Sequence, residues 1–120
     1  MAAYINDDAP DAYLDVIATG TVLHICSSQP ADYAAVAGVS LGTKSSPGFT
    51  GPANGDVSGR KLTVDAISDG SVTGTGTASH YAIVDGSRLL VTDALDSSQG
   101  VSSGNTFTLA AFDIEVPDPT

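Results

Sequence analysis

The chain has 120 residues, 42% of them hydrophobic, and its 14 acidic and four basic residues give a formal net charge of -10 at pH 7. A chain of this length forms one domain around one core, and so few cations argue against a nucleic-acid partner, because that affinity comes largely from Lys and Arg contacts to phosphates. The single cysteine, Cys26, excludes an intrachain disulfide, and the apolar stretches fall far short of the ~20 residues of a membrane helix.

The N-terminal third carries the helix signals. Pro10 and Asp11 precede a group of apolar residues, and Gly20 follows them, which predicts a short amphipathic helix near residues 11–19. The apolar residues are Tyr13, Leu14, Val16 and Ile17. A second turn of helix is predicted from Pro30 to Gly38. We expect residues 1–10 to form an N-terminal arm and residues 11–120 to form a single β-rich domain.

From residue 39 onward the sequence is typical of antiparallel β structure. Short runs rich in Val, Thr, Gly and Ser are separated by the turn pairs Asn54-Gly55, Asp69-Gly70 and Asp85-Gly86. Strands are predicted at 21–26, 61–66, 80–84, 89–92 and 107–116, and the segment 46–59 is predicted to be a loop. The expected fold is mainly β, an antiparallel β-sandwich or flattened barrel with one or two short helices near the N-terminus.

Ten apolar residues of these strands are the candidate core. They are Leu62, Val64, Val72, Ile83, Leu90, Val91, Phe107, Leu109, Phe112 and Ile114. Each would stabilise the fold by about 1.5–3 kcal/mol when fully buried.

The segment DGSVTGTGTASHYAIVDG at 69–86 alternates glycine or alanine with threonine. A phosphate-binding loop is disfavoured, because the third glycine of the dinucleotide fingerprint is missing and a strand follows instead of a helix. We predict a middle strand after a turn at Asp69-Gly70, with residues 74, 76, 78, 80 and 82 on one face. Glycine in a strand often marks a close backbone approach, so Gly76→Val is expected to be harmful.

The two histidines are predicted to be structural. His80 lies in the predicted middle strand. A structural role, as a hydrogen-bonded histidine of the core or of an interface, is preferred to a catalytic role, because the sequence shows no other residue placed to act with it. His24 and Cys26 share a strand face in TVLHIC. Both are expected to face the core, where free cysteine is among the most buried residue types.

One segment matches the sequence pattern of a serine-hydrolase motif but not the structural context that the motif requires. GVSLG at 38–42 satisfies G-x-S-x-G, with Ser40 as the nucleophile. That motif needs a preceding strand and a following helix on a large α/β sheet, whereas a helix is predicted before Ser40 and a loop after it. We therefore predict no catalytic residue and no enzyme activity.

No metal or cofactor is predicted. His24, Cys26 and His80 could supply three ligands, but the sequence has no CxxC or HxxxH spacing. The acidic stretch NDDAPD at 6–11 lacks the glycine and the terminal glutamate of a calcium loop in register, which leaves only a weak surface site.

Four segments carry a family resemblance. They are LHICSSQP at 23–30, SLGTKSSP at 40–47, the long segment GDVSGRKLTVDAISDGSVTGTGTASHYAIVDG at 55–86, and SSGNTFTLAAFDIEVPDP at 102–119. Together they resemble a family of small virion structural proteins, of the decoration type, from tailed bacteriophages. The resemblance extends from about Tyr13 to Pro117, and it supplies no catalytic residue.

The resemblance implies a particle component. The leading expectation is a capsid decoration protein that binds and stabilises the assembled head from its outer surface, with the major capsid protein and copies of itself as partners. A tail, neck or fibre-associated module, which could bind a host surface, fits almost as well, and a small hydrolase is a distant third. The N-terminus MAAYINDD lacks signal-peptide features, so synthesis in the host cytoplasm is expected.

Overall fold

The computed structural model describes residues 8–55 and 59–116. Two helices and nine strands are assigned there. They are α1 (Asp8–Ile17), β1 (Val22–Cys26), α2 (Tyr33–Val39), β2 (Ser40–Ser45), β3 (Phe49–Asn54), β4 (Arg60–Val64), β5 (Ile67–Val72), β6 (Gly76–Val84), β7 (Leu89–Val101), β8 (Thr106–Leu109) and β9 (Phe112–Val116).

The strands form two antiparallel sheets. The larger sheet has the order β7-β6-β1-β2-β5-β8, and the smaller sheet has the order β3-β4-β9. The predicted fold class, a mainly antiparallel β-sandwich or flattened barrel with short helices near the N-terminus, is confirmed. Within the described ranges no helix is long and apolar enough to cross a membrane.

Both predicted helices are present, with shifted ends. α1 begins at Asp8, so the last three residues of the predicted arm, 8–10, are helical, and residues 1–7 lie outside the described residues. The helix buries Leu14 and Ile17 in the main core. α2 begins after Asp32, whose carboxylate accepts a hydrogen bond from the N–H of Ala35 at 2.8 Å, as an N-cap residue does.

The larger sheet is apolar on both faces. One face contributes Leu23, Ile25 and Ile83 to the main core, which it shares with the smaller sheet and α1. The other face forms a small cluster beneath α2, where Cys26, Val36, Ala82 and Val84 are buried. Six of the ten predicted core residues are buried, and Leu90, Val91, Leu109 and Phe112 are partly buried against the main core.

The turn predicted at Asp69-Gly70 is wrong. Both residues lie within β5, which pairs with β2 and β8, whereas β4 belongs to the smaller sheet. The glycine is needed for packing, because Gly70 pairs with Phe107 and a side-chain atom at residue 70 would overlap the Phe107 ring. The predicted reversals at Asn54-Gly55 and Asp85-Gly86 are confirmed by the β3–β4 and β6–β7 pairings.

The predicted middle strand starts later than expected. Residues 73–75 form a bend between β5 and β6, and the N–H groups of Thr73 and Gly74 both donate to the carbonyl of Leu41, at 2.8 and 3.0 Å. A Cβ at Gly76 would meet only the Leu41 side chain, at 3.4 Å, which is ordinary contact. The close-approach account of Gly76 is therefore wrong.

The predicted face pattern of β6 is also broken. The pairing of β6 with β7 shifts register between Ala78 and His80. Because of this bulge, Ala78 lies in the main core together with Tyr81, while Ala82 lies in the cluster beneath α2. Residues 78 and 82 thus contribute to opposite faces, contrary to the simple alternation predicted from the sequence.

Three strand boundaries differ from prediction. The predicted loop 46–59 contains β3, an edge strand that tolerates Pro52 at a register shift. The strand predicted at 89–92 extends to Val101. The segment 107–116 is divided at residues 110–111, because its first half pairs with β5 in the larger sheet and its second half pairs with β4 in the smaller one.

Candidate functional site

A groove runs between β7 and β9, where the two sheets meet along their edges. It consists of two adjoining clefts of about 500 and about 610 Å³, each within the usual size range of ligand sites. Tyr81, Asp93 and Asp113 line both clefts. We call this feature the β7–β9 groove.

The groove has an aromatic floor. Tyr81, on β6, is only 5% exposed, and its ring lies 4.6 Å from the ring of Phe112 on β9, at an interplanar angle of 48°. Burial, with smaller contributions from Asp93 and Tyr13, raises the pKa of the Tyr81 hydroxyl well above its usual value. The phenol therefore remains protonated at neutral pH, so it keeps a hydrogen to donate.

Carboxylates line the walls of the groove. Asp93 on β7 pairs across the sheet with Tyr81 and is exposed, and Asp96 lies further along the same strand. Asp113 on β9 accepts a hydrogen bond from Thr63 Oγ1 at 2.7 Å, and it lies 3.4 Å from Lys61 Nζ. These positions give the groove a negative potential above an apolar floor.

The strand edges along the groove differ in regularity. β9 pairs with β4 residue by residue over Phe112–Val116, with no register shift, and its other edge has no strand partner in the described sheets. β7 is also an edge strand, but its pairing with β6 shifts register across residues 95–98, since Ala94 pairs with His80 and Gln99 with Ala78. Only β9 therefore offers an uninterrupted edge to the groove.

Each cation of the chain is already paired with an aspartate. Arg60 binds Asp11 through Nε at 2.7 Å and through a second nitrogen at 3.2 Å, which joins β4 to α1. The other pairs are Lys44 with Asp69, Lys61 with Asp113, and Arg88 with Asp85. All four Lys and Arg side chains of the chain are thus engaged in ion pairs with aspartates.

The structure brings Ser40 and His24 together, which the sequence analysis missed. The Oγ of Ser40 lies 2.8 Å from Nδ1 of His24, and it also donates to the carbonyl of Gly42 at 3.3 Å. The helix α2 precedes Ser40, as predicted, but the strand β2 follows it where a loop was predicted; this order is the reverse of the strand and helix that flank a nucleophile elbow. No carboxylate among the described residues makes a hydrogen bond to the His24 ring, so the pair lacks the orienting acid of a triad.

Burial of His24 lowers its pKa. The imidazole is therefore neutral at neutral pH, and in the tautomer with its hydrogen on Nδ1 it donates to the Ser40 oxygen while the Ser40 hydroxyl donates to the carbonyl of Gly42. Neither residue lines the β7–β9 groove. The pair ties β1 to β2 at the point where their register shifts, between Ile25 and Cys26.

His80 and Cys26 face each other on paired strands beside this point. His80 Nδ1 lies 2.8 Å from the Oγ of Ser79, a hydroxyl that donates to the carbonyl of Ser27 at 3.0 Å. Cys26 is buried, and burial raises the pKa of its thiol to about 11. A thiol in this state is a poor nucleophile and a poor metal ligand at neutral pH.

The acidic stretch at 6–11 is described only in part. Asp8 and Asp11 lie on α1, where Asp11 binds Arg60, and residues 6 and 7 lie outside the described ranges. Over residues 8–55 and 59–116, no group of three His, Cys, Asp or Glu side chains is placed to hold a metal ion.

Comparison with known proteins gave no relative. The chain matches no family model, and neither a curated protein nor a solved structure shows significant similarity to it.

Proposed function

We propose that the protein is a structural component of a tailed-bacteriophage particle, and specifically a decoration protein that binds the outer surface of the assembled head and stabilises it. The observation that carries this proposal is the resemblance of four sequence segments to small virion proteins. Those segments contain most of the framework of the fold. They include β1 and β2, the run from β4 through β6, and the final strands β8 and β9.

The chemistry of the described surface supports a binding module. The two Ser–His contacts have no carboxylate partner among the described residues, and the β7–β9 groove has an aromatic floor and carboxylate walls. Such a surface suits recognition of another protein, whose partner side chains would fill the groove.

Charge supports an outer position on the particle. The net charge of -10 would be repelled by packaged DNA, and the four cations are already paired with aspartates. The same charge keeps free copies soluble and separate before they reach the shell.

Attachment to a shell requires more area than one small module provides. Stable interfaces bury about 1,200–2,000 Å² in total, so we propose that several copies associate across neighbouring shell subunits, or that the N-terminal arm adds contacts. Simultaneous attachment at two or more points multiplies affinity without any new kind of contact.

Particles made without the gene provide the test. We expect them to assemble, but to break at a lower temperature or on milder osmotic shock, and purified protein added afterwards should restore their resistance. Antibody labelling under the electron microscope locates the protein. If tails carry the label and heads do not, the tail-module alternative replaces the head assignment.

A further inference from the structure

Tyr81 carries a hydroxyl group that the fold does not use. The side chain is only 5% exposed. Thr92 donates to the backbone carbonyl of Tyr81 at 2.8 Å, but no described residue forms a hydrogen bond with the hydroxyl. Every fully enclosed side-chain oxygen or nitrogen of the described residues has a hydrogen-bond partner, so the Tyr81 hydroxyl reaches the surface of the two clefts that this residue lines. A buried residue thus directs an unpaired polar group into the groove.

Asp93 places a negative charge beside this hydroxyl. It lies directly opposite Tyr81 on the paired strand β7, and directly opposite residues project from the same face of a sheet with Cβ atoms about 4.5–5.5 Å apart. The Asp93 carboxylate accepts a hydrogen bond from the N–H of Ala94 at 2.8 Å, but it makes no ion pair with a described cation. Both residues line both clefts, and we call their meeting point the Tyr81–Asp93 site.

We infer that the Tyr81–Asp93 site binds a primary alkylammonium group, the group at the end of a lysine side chain or of a free aliphatic amine. The ammonium would donate one hydrogen bond to a carboxylate oxygen of Asp93 and one to the phenol oxygen of Tyr81, which has lone pairs to accept it. Hydrogen bonds between an ammonium and a carboxylate are charge-assisted and stronger than neutral ones. The inference does not depend on the place of the protein in a phage particle.

The lining of the groove selects a cation. None of the described residues that line either cleft is basic, so an anionic ligand would meet only repulsion from Asp93 and its acidic neighbours. A divalent metal ion is a poor occupant, because no group of three His, Cys, Asp or Glu among the described residues is placed to hold one. A singly charged organic group needs fewer ligands and fits the single carboxylate of the site.

The larger cleft also offers an apolar surface beside the charge. Its lining includes Leu95, Leu109 and Phe112, which are partly buried against the main core. An aliphatic chain that lies against these side chains leaves water, and each methylene removed from water strengthens binding. The site therefore favours an alkylammonium over a hydrated inorganic cation.

A purely structural role would explain only half of the site. An inward-pointing charge on an edge strand discourages pairing with other molecules, which would account for Asp93 alone. It does not account for Tyr81, because a phenylalanine would also pack against Phe112 without burying a hydroxyl that lacks a hydrogen bond. A ligand that binds both groups explains the hydroxyl and the carboxylate together.

Titration of the purified protein with n-pentylammonium chloride at pH 7 tests the inference. We expect the NMR signals of the Tyr81 ring and of the Asp93 N–H to shift and to saturate with a Kd of roughly 1 mM, as suits a ligand of six heavy atoms. The affinity should fall as ionic strength rises. Absence of a saturating shift at these two residues would overturn the inference.

Matched small molecules separate the contributions of charge and chain. We expect n-pentanol and n-pentanoate, which have the same chain without the positive charge, to give no saturating shift. Shorter alkylammonium ions should bind about twofold more weakly per methylene removed, because the chain is only partly buried. Equal binding of pentanol would contradict cation recognition, and equal binding of methylammonium would contradict the apolar contact.

Protein variants locate the two hydrogen bonds. Asp93→Asn and Tyr81→Phe should each weaken binding of n-pentylammonium by about fivefold. Asp15→Asn on α1 and Tyr33→Phe on α2 change exposed residues that do not line the clefts, and they should leave the affinity unchanged. An equal loss in the control variants would remove the Tyr81–Asp93 site from the explanation.

The stability of Tyr81→Phe gives a readout that a structural hydroxyl would fail. Because the hydroxyl has no hydrogen bond to a described residue, its removal should leave the thermal unfolding midpoint unchanged or raise it. A lowered midpoint would show that the hydroxyl has a partner in the fold, and it would overturn the inference.

Two further ligands distinguish the sources of the ammonium. Tighter binding of Nα-acetyl-lysine N-methylamide than of 1,5-diaminopentane would assign the site to a lysine of a partner protein, and the reverse order would assign it to a free amine. Failure of both to bind would overturn the inference. The particle test is independent: heads that carry the protein while n-pentylammonium fails to bind would contradict only this inference, whereas binding with unlabelled heads would contradict only the proposed function.

Discussion

Gly70 lies directly opposite Phe107 across the β5–β8 pair, and the ring of Phe107 occupies the space that a side chain at residue 70 would fill. Phe107 is 2% exposed and is one of the largest fully enclosed side chains of the core. The ring can therefore lie flat against the strand only because residue 70 has no Cβ.

Gly70→Ala should destabilise the protein. The added methyl group must displace the Phe107 ring, and overpacking of this kind costs about 1–3 kcal/mol. Urea unfolding followed by circular dichroism measures the loss. Gly76→Ala is the matched control, because a Cβ there meets only the tips of Leu41 at 3.4 Å. Equal midpoints for the two variants would contradict this packing account.

Stability should fall on mild acidification because of His24. Burial lowers the pKa of His24 in the native state below its usual 6.5, so the unfolded chain binds a proton at this residue at higher pH than the native protein does. The contribution to stability is complete above about pH 6.5, and it is lost as the pH falls from there through the native pKa.

His24→Gln should remove this part of the pH dependence. Urea unfolding of both proteins, measured between pH 7.5 and 5 in steps of about 0.5 pH unit, gives the slope of the free energy of unfolding against pH for each protein. Asp69 and Asp85 have pKa values lowered below 3.8 by Lys44 and Arg88, so their contributions are lost only at more acidic pH. Identical slopes in the two proteins would show that the buried imidazole is not responsible.

Ser40→Ala should fold and retain biological function. The change removes hydrogen bonds to His24 and to the carbonyl of Gly42, and a typical hydrogen bond contributes about 0.5–1.5 kcal/mol. The measurement is the particle-stabilisation assay, with thermal unfolding as the check on folding. A fully folded Ser40→Ala protein without function would revive the hydrolase interpretation.

Cys26 should resist thiol reagents in the native protein. Its side chain is completely buried, and burial raises its pKa to about 11, so little reactive thiolate exists at neutral pH. Labelling with iodoacetamide at pH 7.5 should be slow without denaturant and fast in urea, as followed by mass spectrometry. Fast labelling under native conditions would place the thiol at an accessible surface.

Local signals were sufficient for much of the fold. Pro10, which lies in the first turn of α1, and Gly20, which follows its end, located the first helix, and alternation in TVLHIC located β1. The long polar part of β7 was missed, because residues 93–100 contain four polar or charged residues in a row at 96–99 and no regular alternation. β3 was predicted to be a loop, because it contains glycine and proline residues. A strand tolerates such residues at the edge of a sheet, and the sequence does not show that β3 is an edge strand.

The remaining errors arise from pairing between distant strands. Asp69-Gly70 has the composition of a turn, but the requirement of Phe107 for space, 37 residues away, decides its conformation. Ser40 and His24 meet only because β1 and β2 pair with a shifted register at Cys26. The β7–β9 groove has no local signal at all, since its walls belong to different sheets. Such features depend on which strands become neighbours in the sheets, and the pairing of distant strands cannot be determined from local patterns in a single sequence.

The division of residues 106–116 between two sheets affects the order in which the protein can fold during synthesis. β8 completes the edge of the larger sheet, and β9 completes the edge of the smaller one. Both partners, β5 and β4, are synthesised about forty to fifty residues earlier and must wait for strands that are made last. The larger sheet therefore cannot be finished on the ribosome until the chain has been made through Leu109, and the smaller sheet until it has been made through Val116. Until then the edges of β4 and β5 stay open, a period in which a chaperone or a neighbouring nascent chain can reach them.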